Sequence, residues 1–221
     1  MKSLLRLMQN HCSCCLNCGS FMISESLLCK PCEERLKFLE QQEPRQAPPF
    51  TVRSHYYWYP GQSDLLSELV LALKGSGHQR AWEHYAQKFT KKLSSSLHHR
   101  RICVIPAPAK KINQVDHAYL WGKALADSLG AGFLPCLEKV SSGSQRGAGR
   151  GERALVEMEA HVKTSSGVDF STETLWIFAD DVLTTGATAR AAHLALGSPA
   201  HFEVWVLAQR GLSCGASKDL L

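Results

Sequence analysis

The chain contains no apolar run approaching the roughly 20 residues that a transmembrane helix needs, which argues against membrane insertion. It has no internal repeat and no long low-complexity tract, so a repeat architecture and a wholly disordered chain are both disfavoured. The N-terminal stretch MKSLLRLMQNHC places an Arg inside a very short apolar patch and lacks a small-residue cleavage site. It does not resemble a secretory signal, and a cytoplasmic location is the expectation. A strong charge bias is also missing. The formal net charge of +5 and pI near 8.7 permit attraction to phosphates or nucleic acid without singling out either.

What is present is an ordinary globular composition, with 44% hydrophobic residues in 221, enough for one well-packed domain and a small appendage. Nine cysteines would suggest disulfides in a small secreted chain, but six of them lie between Cys12 and Cys32. In a cytosolic protein such clustering points first to a metal.

Residues 1–40 form the first expected unit. Cys15-x2-Cys18 and Cys29-x2-Cys32 are two knuckles separated by ten residues, and NCGS and CKPC supply turn-forming residues beside the thiols. Four thiolates so spaced can meet tetrahedrally around Zn²⁺, and the metal would stabilise a unit too small to hold a core alone. Cys12 and Cys14 are surplus; Cys12-x2-Cys15 is an alternative knuckle, and free thiols or a redox couple are the plain alternative. No open coordination position with a nearby base is evident, so the zinc is expected to be structural. CEERLKFLE follows, where Leu36, Phe38 and Leu39 suggest a short helix with charges on its other side.

QQEPRQAPPF, with three prolines, reads as a linker over residues 41–51. From residue 52 to 221 strands and helices alternate. The aromatic run Tyr56 to Tyr59 is β-prone, and SDLLSELVLALKG is a helix with Ser63 as N-cap that stops at Gly75. RAWEHYAQKFTKKLSSSL is a second helix, RICVIPAP a short buried strand, and HAYLWGKALADSLG an amphipathic helix ended by Gly130. LWIFADD is a strand, ATARAAHLAL a helix and HFEVWVLAQR a strand. The expected fold class is α/β, with a mainly parallel sheet flanked by helices.

In such sheets ligands collect beyond the carboxyl ends of strands, which is where WIFADDVLTTGAT falls. The backbone N–H groups of Thr185, Gly186, Ala187 and Thr188, with the hydroxyls of Thr184, Thr185 and Thr188, can surround a phosphate at a helix start. Asp180 and Asp181 would repel phosphate oxygens, and suit instead the two hydroxyls of a ribose or a Mg²⁺ ion. A ribose 5-phosphate group satisfies both halves. The plain alternative is an acidic pair capping the next helix beside a Thr/Gly turn.

This stretch resembles the 5-phosphoribosyl diphosphate (PRPP) motif of type I phosphoribosyltransferases. The resemblance assigns Asp180 and Asp181 to the ribose and Thr184, Thr185, Gly186, Ala187 and Thr188 to the 5-phosphate, with Mg²⁺ accompanying PRPP. Ala179 stands where that family more often has a bulkier aliphatic residue. A four-cysteine zinc ribbon followed by such a domain resembles the ComF family, also described as GntX-like, of bacterial competence-associated proteins. LVLALKGSG, VIPAPAKKINQ and the spacing of Gln145, Arg150 and Arg153 resemble further segments of that family in the same order. The resemblance implies a phosphoribosyltransferase-like fold and a link to DNA uptake.

The segment between the Pro-x-Pro strand end and Asn113 is shorter than in the family, leaving Lys110 and Lys111 as its basic groups. They are diphosphate-binding candidates or solvated lysines. Arg146, Arg150 and Arg153, in a Gly-rich stretch, suit a lid over diphosphate, a nucleic-acid contact, or no fixed role. Lys74 either reaches an anion or caps its helix. Three functions remain open: an enzyme transferring ribose 5-phosphate from PRPP to a nitrogenous base, a non-catalytic accessory that handles single-stranded DNA or competence-machinery proteins, and a ribbon that merely braces the domain. No general base stands out, which fits a reaction driven by leaving-group stabilisation.

Overall fold

The computed structural model describes residues 14–21, 25–40, 44–47, 49–59, 64–75, 78–93, 97, 101–109, 116–139, 158–160 and 173–210. A six-stranded sheet organises them, in the order β1 (Arg45–Ala47), β2 (Phe50–Trp58), β8 (Phe202–Arg210), β7 (Thr174–Leu183), β3 (Arg101–Pro106) and β4 (Gly132–Phe133). All neighbours are parallel except β1 and β2. A separate antiparallel pair joins β5 (Leu137–Lys139) to β6 (Met158–Ala160).

The central strands read as continuous apolar runs because both of their faces are buried. Their side chains alternate between two apolar clusters. Val104, Ile177, Ala179, Trp205 and Leu207 face one side. Cys103, Ile105, Trp176, Phe178, Val204 and Val206 face the other. On the first side lie three helices, α2 (Asp64–Leu73), α3 (Gln79–Leu93) and α4 (His117–Leu129). The stacked rings of Phe89 and Trp121, with centroids 5.9 Å apart, join α3 to α4, and Trp121 Nε1 donates to the Trp205 carbonyl at 3.1 Å. On the second side lies α5 (Ala187–Ala195), through Ala189 and Ala192.

The short helix α1 (Lys30–Leu36) and a 3₁₀ turn (Lys37–Leu39) follow the cysteine knuckles. Leu36 is buried, but Phe38, expected on the apolar side, is 92% exposed. The 3₁₀ turn has about three residues per turn, so Leu36 and Leu39 align and Phe38 swings outward. The segment read as a linker differs as well. Residues 45–47 form β1, and β2 begins at Phe50, so the chain enters the sheet directly. Nor is the cysteine unit set apart: Cys15, Leu28, Cys29, Cys32 and Leu36 belong to the same apolar cluster as Tyr85, Phe89 and Trp121.

Two caps bound α4, the first of them at the sheet's carboxyl edge. Asp116 accepts from the N–H groups of Ala118 and Tyr119 at 3.0 and 3.3 Å, and Gly130, at φ 61°, closes α4 in the left-handed conformation. Gly122 lets α4 approach the strand ends closely. A Cβ there would come within 3.3 Å of Ala179 Cβ, Pro106 Cβ and Phe133 Cε2. The small Ala179, a departure from the resembled family, belongs to this close approach. Among the described residues no helix is long and apolar enough to cross a membrane.

Candidate functional site

The chain passes from β3 to β4 on one side and later returns to β7 on the other, so the carboxyl ends of β3 and β7 flank a topological switch point. Open parallel sheets bind ligands there. Pro106 pairs with Ala179, and Asp180 and Asp181 come next on β7. The strand does not stop at the acidic pair, as the sequence suggested. It continues to Leu183, with Asp180 opposite Val206 and Val182 opposite Ala208 on β8.

A turn of three residues, Thr184, Thr185 and Gly186, then leads into α5. Gly186 is its N-cap at φ 73°, a conformation that favours glycine. Thr184 and Thr185 are exposed, and Gly186, Ala187 and Thr188 half-buried. The Ala187 N–H donates weakly to Thr185 Oγ1 at 3.4 Å. Arg190, one turn on, brings its guanidinium back over Gly186: a Cβ there would stand 3.2 Å from Nη1. The turn thus combines N–H groups at a helix start with hydroxyls and one cation, a set suited to an anion.

The two carboxylates are not equivalent. Asp180 Oδ1 accepts the Asp181 N–H at 2.9 Å, while Asp181 is buried and faces the side-chain nitrogens of Lys74 and His117. The Lys74 ammonium stands 2.7 Å from Asp181 Oδ2, as an ion pair rather than a well-angled hydrogen bond. His117 Nε2 lies 3.5 Å from Oδ1. Burial and then the Asp181 charge push the Asp180 carboxyl well above the usual carboxylate range, with Lys139 opposing. Burial also works against ionisation of Asp181, but the Asp180 hydrogen bond, then Lys74 and, where it carries a proton, His117 outweigh it and hold the group low.

Lys74 therefore does reach an anion, and the anion is a carboxylate of its own chain. His117 was not singled out from sequence. Its only local signal is its place as the first residue of α4, just after the Asp116 cap. Nor was Arg190, whose signal is its spacing of four residues from Gly186. Lys110, Lys111, Gln145, Arg146, Arg150 and Arg153 lie outside the described residues, as do Cys12 and Ser63.

A Mg²⁺ ion requires near-octahedral oxygen ligation at about 2.0–2.1 Å. One oxygen of Asp181 faces the Lys74 ammonium and the other His117, and one oxygen of Asp180 accepts a backbone N–H. This donor set does not fit a directly ligated Mg²⁺.

No family model and no curated protein matches the chain. Its chemistry therefore rests on the groups themselves.

The cysteine group fits a metal. The Sγ atoms of Cys15, Cys18, Cys29 and Cys32 all lie within 4.8 Å of one another, and those of Cys18 and Cys29 are 3.6 Å apart. Tetrahedral zinc with Zn–S bonds of about 2.3 Å sets sulfurs about 3.8 Å apart, which this cluster nearly matches. Cys14 is buried but not part of the group. Gly19, at φ 74°, turns the first knuckle, and its N–H donates to the Cys15 carbonyl at 3.0 Å. Asn17 Nδ2 donates to Cys32 Sγ at 3.2 Å.

Burial opposes ionisation of Cys15, yet backbone hydrogen bonds at Cys18, Cys29 and Asn17 bring it down to about 7. Burial pushes Cys32 up to about 12. Four sulfurs so close cannot all be thiolates without a cation between them, and a bound Zn²⁺ would supply that charge. Of the four only Cys18 is exposed, so the site is closed by protein on most sides, as a structural site is.

The unit is also fixed to α3. Tyr85 Oη donates to the Ser26 carbonyl at 3.0 Å. Glu33 meets His84 at 2.9 Å and Lys88 at 3.0 Å, while Glu40 meets Lys88 at 3.4 Å and pairs with Lys92.

Proposed function

We propose that the chain binds a ribose 5-phosphate ligand of the PRPP kind at the carboxyl end of β7, as a ComF-like protein of type I phosphoribosyltransferase fold. The observation that carries this reading is the adjacency, at the switch point of a parallel sheet, of an acidic pair and an N–H- and hydroxyl-rich turn that opens a helix. The turn suits the phosphate and the carboxylates suit the ribose hydroxyls. Of the two carboxyls Asp180 is the more available to the sugar, since Asp181 also faces Lys74 and His117 and can offer the ribose only an acceptor already held by them. The metal would be structural zinc, held by Cys15, Cys18, Cys29 and Cys32, and the link to DNA uptake follows from the family resemblance.

A binding role is favoured over turnover by the shortness of the segment between Pro108 and Asn113, which leaves only Lys110 and Lys111 as basic groups for a diphosphate. The transferase alternative remains the second reading, with ribose C1 attacked by a base nitrogen and diphosphate released.

The test is calorimetric titration of PRPP, with Mg²⁺ present, into the metal-loaded protein, with the double variant Asp180→Asn and Asp181→Asn as control and a melting curve to establish that the control folds. Saturable binding that the control loses supports the site. Retention of full affinity in the folded control would place any binding elsewhere, and no binding to the intact protein would end the ribose-phosphate reading. Release of diphosphate in a screen of nitrogenous bases would promote the transferase alternative.

A further inference from the structure

Three elements converge on the second carboxylate. α2 ends at Leu73, and the Lys74 N–H still reaches the Val70 carbonyl at 3.1 Å. Gly75 then lets the chain turn where any larger residue would be blocked, since a Cβ there would come within 2.9 Å of the Ala72 carbonyl oxygen. That turn leaves the Lys74 ammonium 2.7 Å from Asp181 Oδ2. From the other side, the first residue of α4 brings His117 Nε2 to 3.5 Å from Oδ1. The Asp181 side chain is only 7% exposed.

A cation in direct contact with this carboxylate would have to displace or share Oδ2 with Lys74, or push His117 away from Oδ1 and still lie beside the ammonium. Mg²⁺ sits about 2.0–2.1 Å from a ligand oxygen and prefers to keep most of its own water. A strongly hydrated dication meets repulsion from the ammonium and, to reach a carboxylate whose side chain is only 7% exposed, must shed water.

The geometry points to Lys74 as the resident cation of the ribose site, a positioning residue that neutralises and orients Asp181 so that a ribose phosphate is received without a divalent ion on the acidic pair. The inference rests on the ribose-phosphate reading above and departs from the Mg²⁺ that the family resemblance brings with PRPP. Asp181, paired with Lys74, supplies an acceptor of fixed direction; Asp180 supplies the second sugar contact. The phosphate is met by the N–H groups and hydroxyls of residues 184–188 and by Arg190, none of which needs a metal.

The probe is ribose 5-phosphate, which has the hydroxyls and the phosphate but no diphosphate to hold Mg²⁺ itself. It is titrated into the metal-loaded full-length protein, in buffer freed of Mg²⁺ by a chelating resin before the protein is added, and again with Mg²⁺ present. Lys74→Met, which keeps the length of the side chain and removes its charge, is run alongside, with a melting curve to check its folding. The expected result is an intact-protein affinity that changes less than about threefold with Mg²⁺, and a Lys74→Met affinity at least about tenfold weaker without Mg²⁺ than with it, a charge-assisted contact being worth that or more.

Binding to the intact protein only when Mg²⁺ is present overturns the inference while leaving the ribose-phosphate reading standing. A Lys74→Met protein that binds equally well with and without Mg²⁺ also overturns it. No binding under either condition defeats the reading and the inference with it. If Lys74→Met does not fold, the intact-protein titration alone decides.

Discussion

A buried imidazole with neither nitrogen paired weakens a fold in a way that depends on pH. His55, on β2, is fully buried among the rings of Tyr56, Phe89 and Tyr85, with centroids 4.2, 5.5 and 6.3 Å away. Neither ring nitrogen has a hydrogen-bond partner among the described residues. Burial first, then the charges of Lys92, Lys88 and His84, hold its pKa well below the ordinary 6.5, and Glu33 only partly offsets them. As the pH falls through 6.5 the unfolded chain takes up a proton that the folded chain refuses, so the contribution present above that pH is progressively lost below it. His55→Leu, of similar volume, removes both the unpaired nitrogens and this proton linkage. It is expected to melt at or above the parent at about pH 7.5, with a gain on the order of 1 kcal/mol that widens toward about pH 5.5. Thermal melts of both proteins across that range decide it. A difference independent of pH would mean that His55 is paired or charged in the folded protein.

At the scale of elements, much of the architecture was legible because its causes are local. RICVIP, LWIFA and FEVWVLA are apolar runs of strand length, and the helices between them carry amphipathic patterns. For α4 the closing Gly130 was legible, whereas the Asp116 cap, equally local, was not read from the sequence. β1 was not legible: three residues in a Pro-rich stretch become a strand only because β2 offers an edge. The acidic pair and its turn were visible as a motif, whereas the pairing of Asp181 with Lys74 and His117 was not. It joins positions far apart in the chain and follows no periodicity. Gly122 links these levels. A valine there would force branched carbon onto Ala179, Pro106 and Phe133, where even a single Cβ would stand only 3.3 Å away. Overpacking of this kind costs about 1–3 kcal/mol. Gly122→Val is therefore expected to lower the melting temperature by several degrees. Pushing α4 off β7 also carries His117 away from Asp181, so ribose 5-phosphate binding should weaken in the folded variant. Melting and calorimetry on the same preparation test both halves, and unchanged affinity with lowered stability would separate α4 packing from the site.

At the scale of the whole molecule, the cysteine unit and the sheet share one apolar cluster among the described residues. Cys15, Cys29 and Cys32 share one apolar cluster with Trp82 on α3, Trp121 on α4 and Trp205 on β8, and the Trp82 and Trp121 rings lie 5.8 Å apart. The polar contacts of Glu33 and Glu40 with α3 surround that apolar join. A metal that binds only the folded chain adds its binding free energy to the stability of whatever unfolds with its ligands. Here that is the helical face of the sheet as well as the knuckles. Chelation of the metal, or the pair Cys29→Ser and Cys32→Ser, is expected to lower the melting temperature of the whole chain by well over 10 °C, given that a shift of 1 kcal/mol moves a domain of this size by about 2–4 °C. Tryptophan fluorescence should change in the same step as helical circular dichroism. A cysteine unit that folded on its own would instead be lost with the tryptophan signal unmoved, and the sheet would melt later at the parent temperature. The same experiment separates two roles for the cysteine unit. If binding of ribose 5-phosphate falls in parallel with the folded fraction, the cysteine unit acts as a brace. If DNA or partner binding disappears while the sheet and the proposed ribose-phosphate site survive, the cysteine unit's function is docking, and the shared cluster contributes little to the fold.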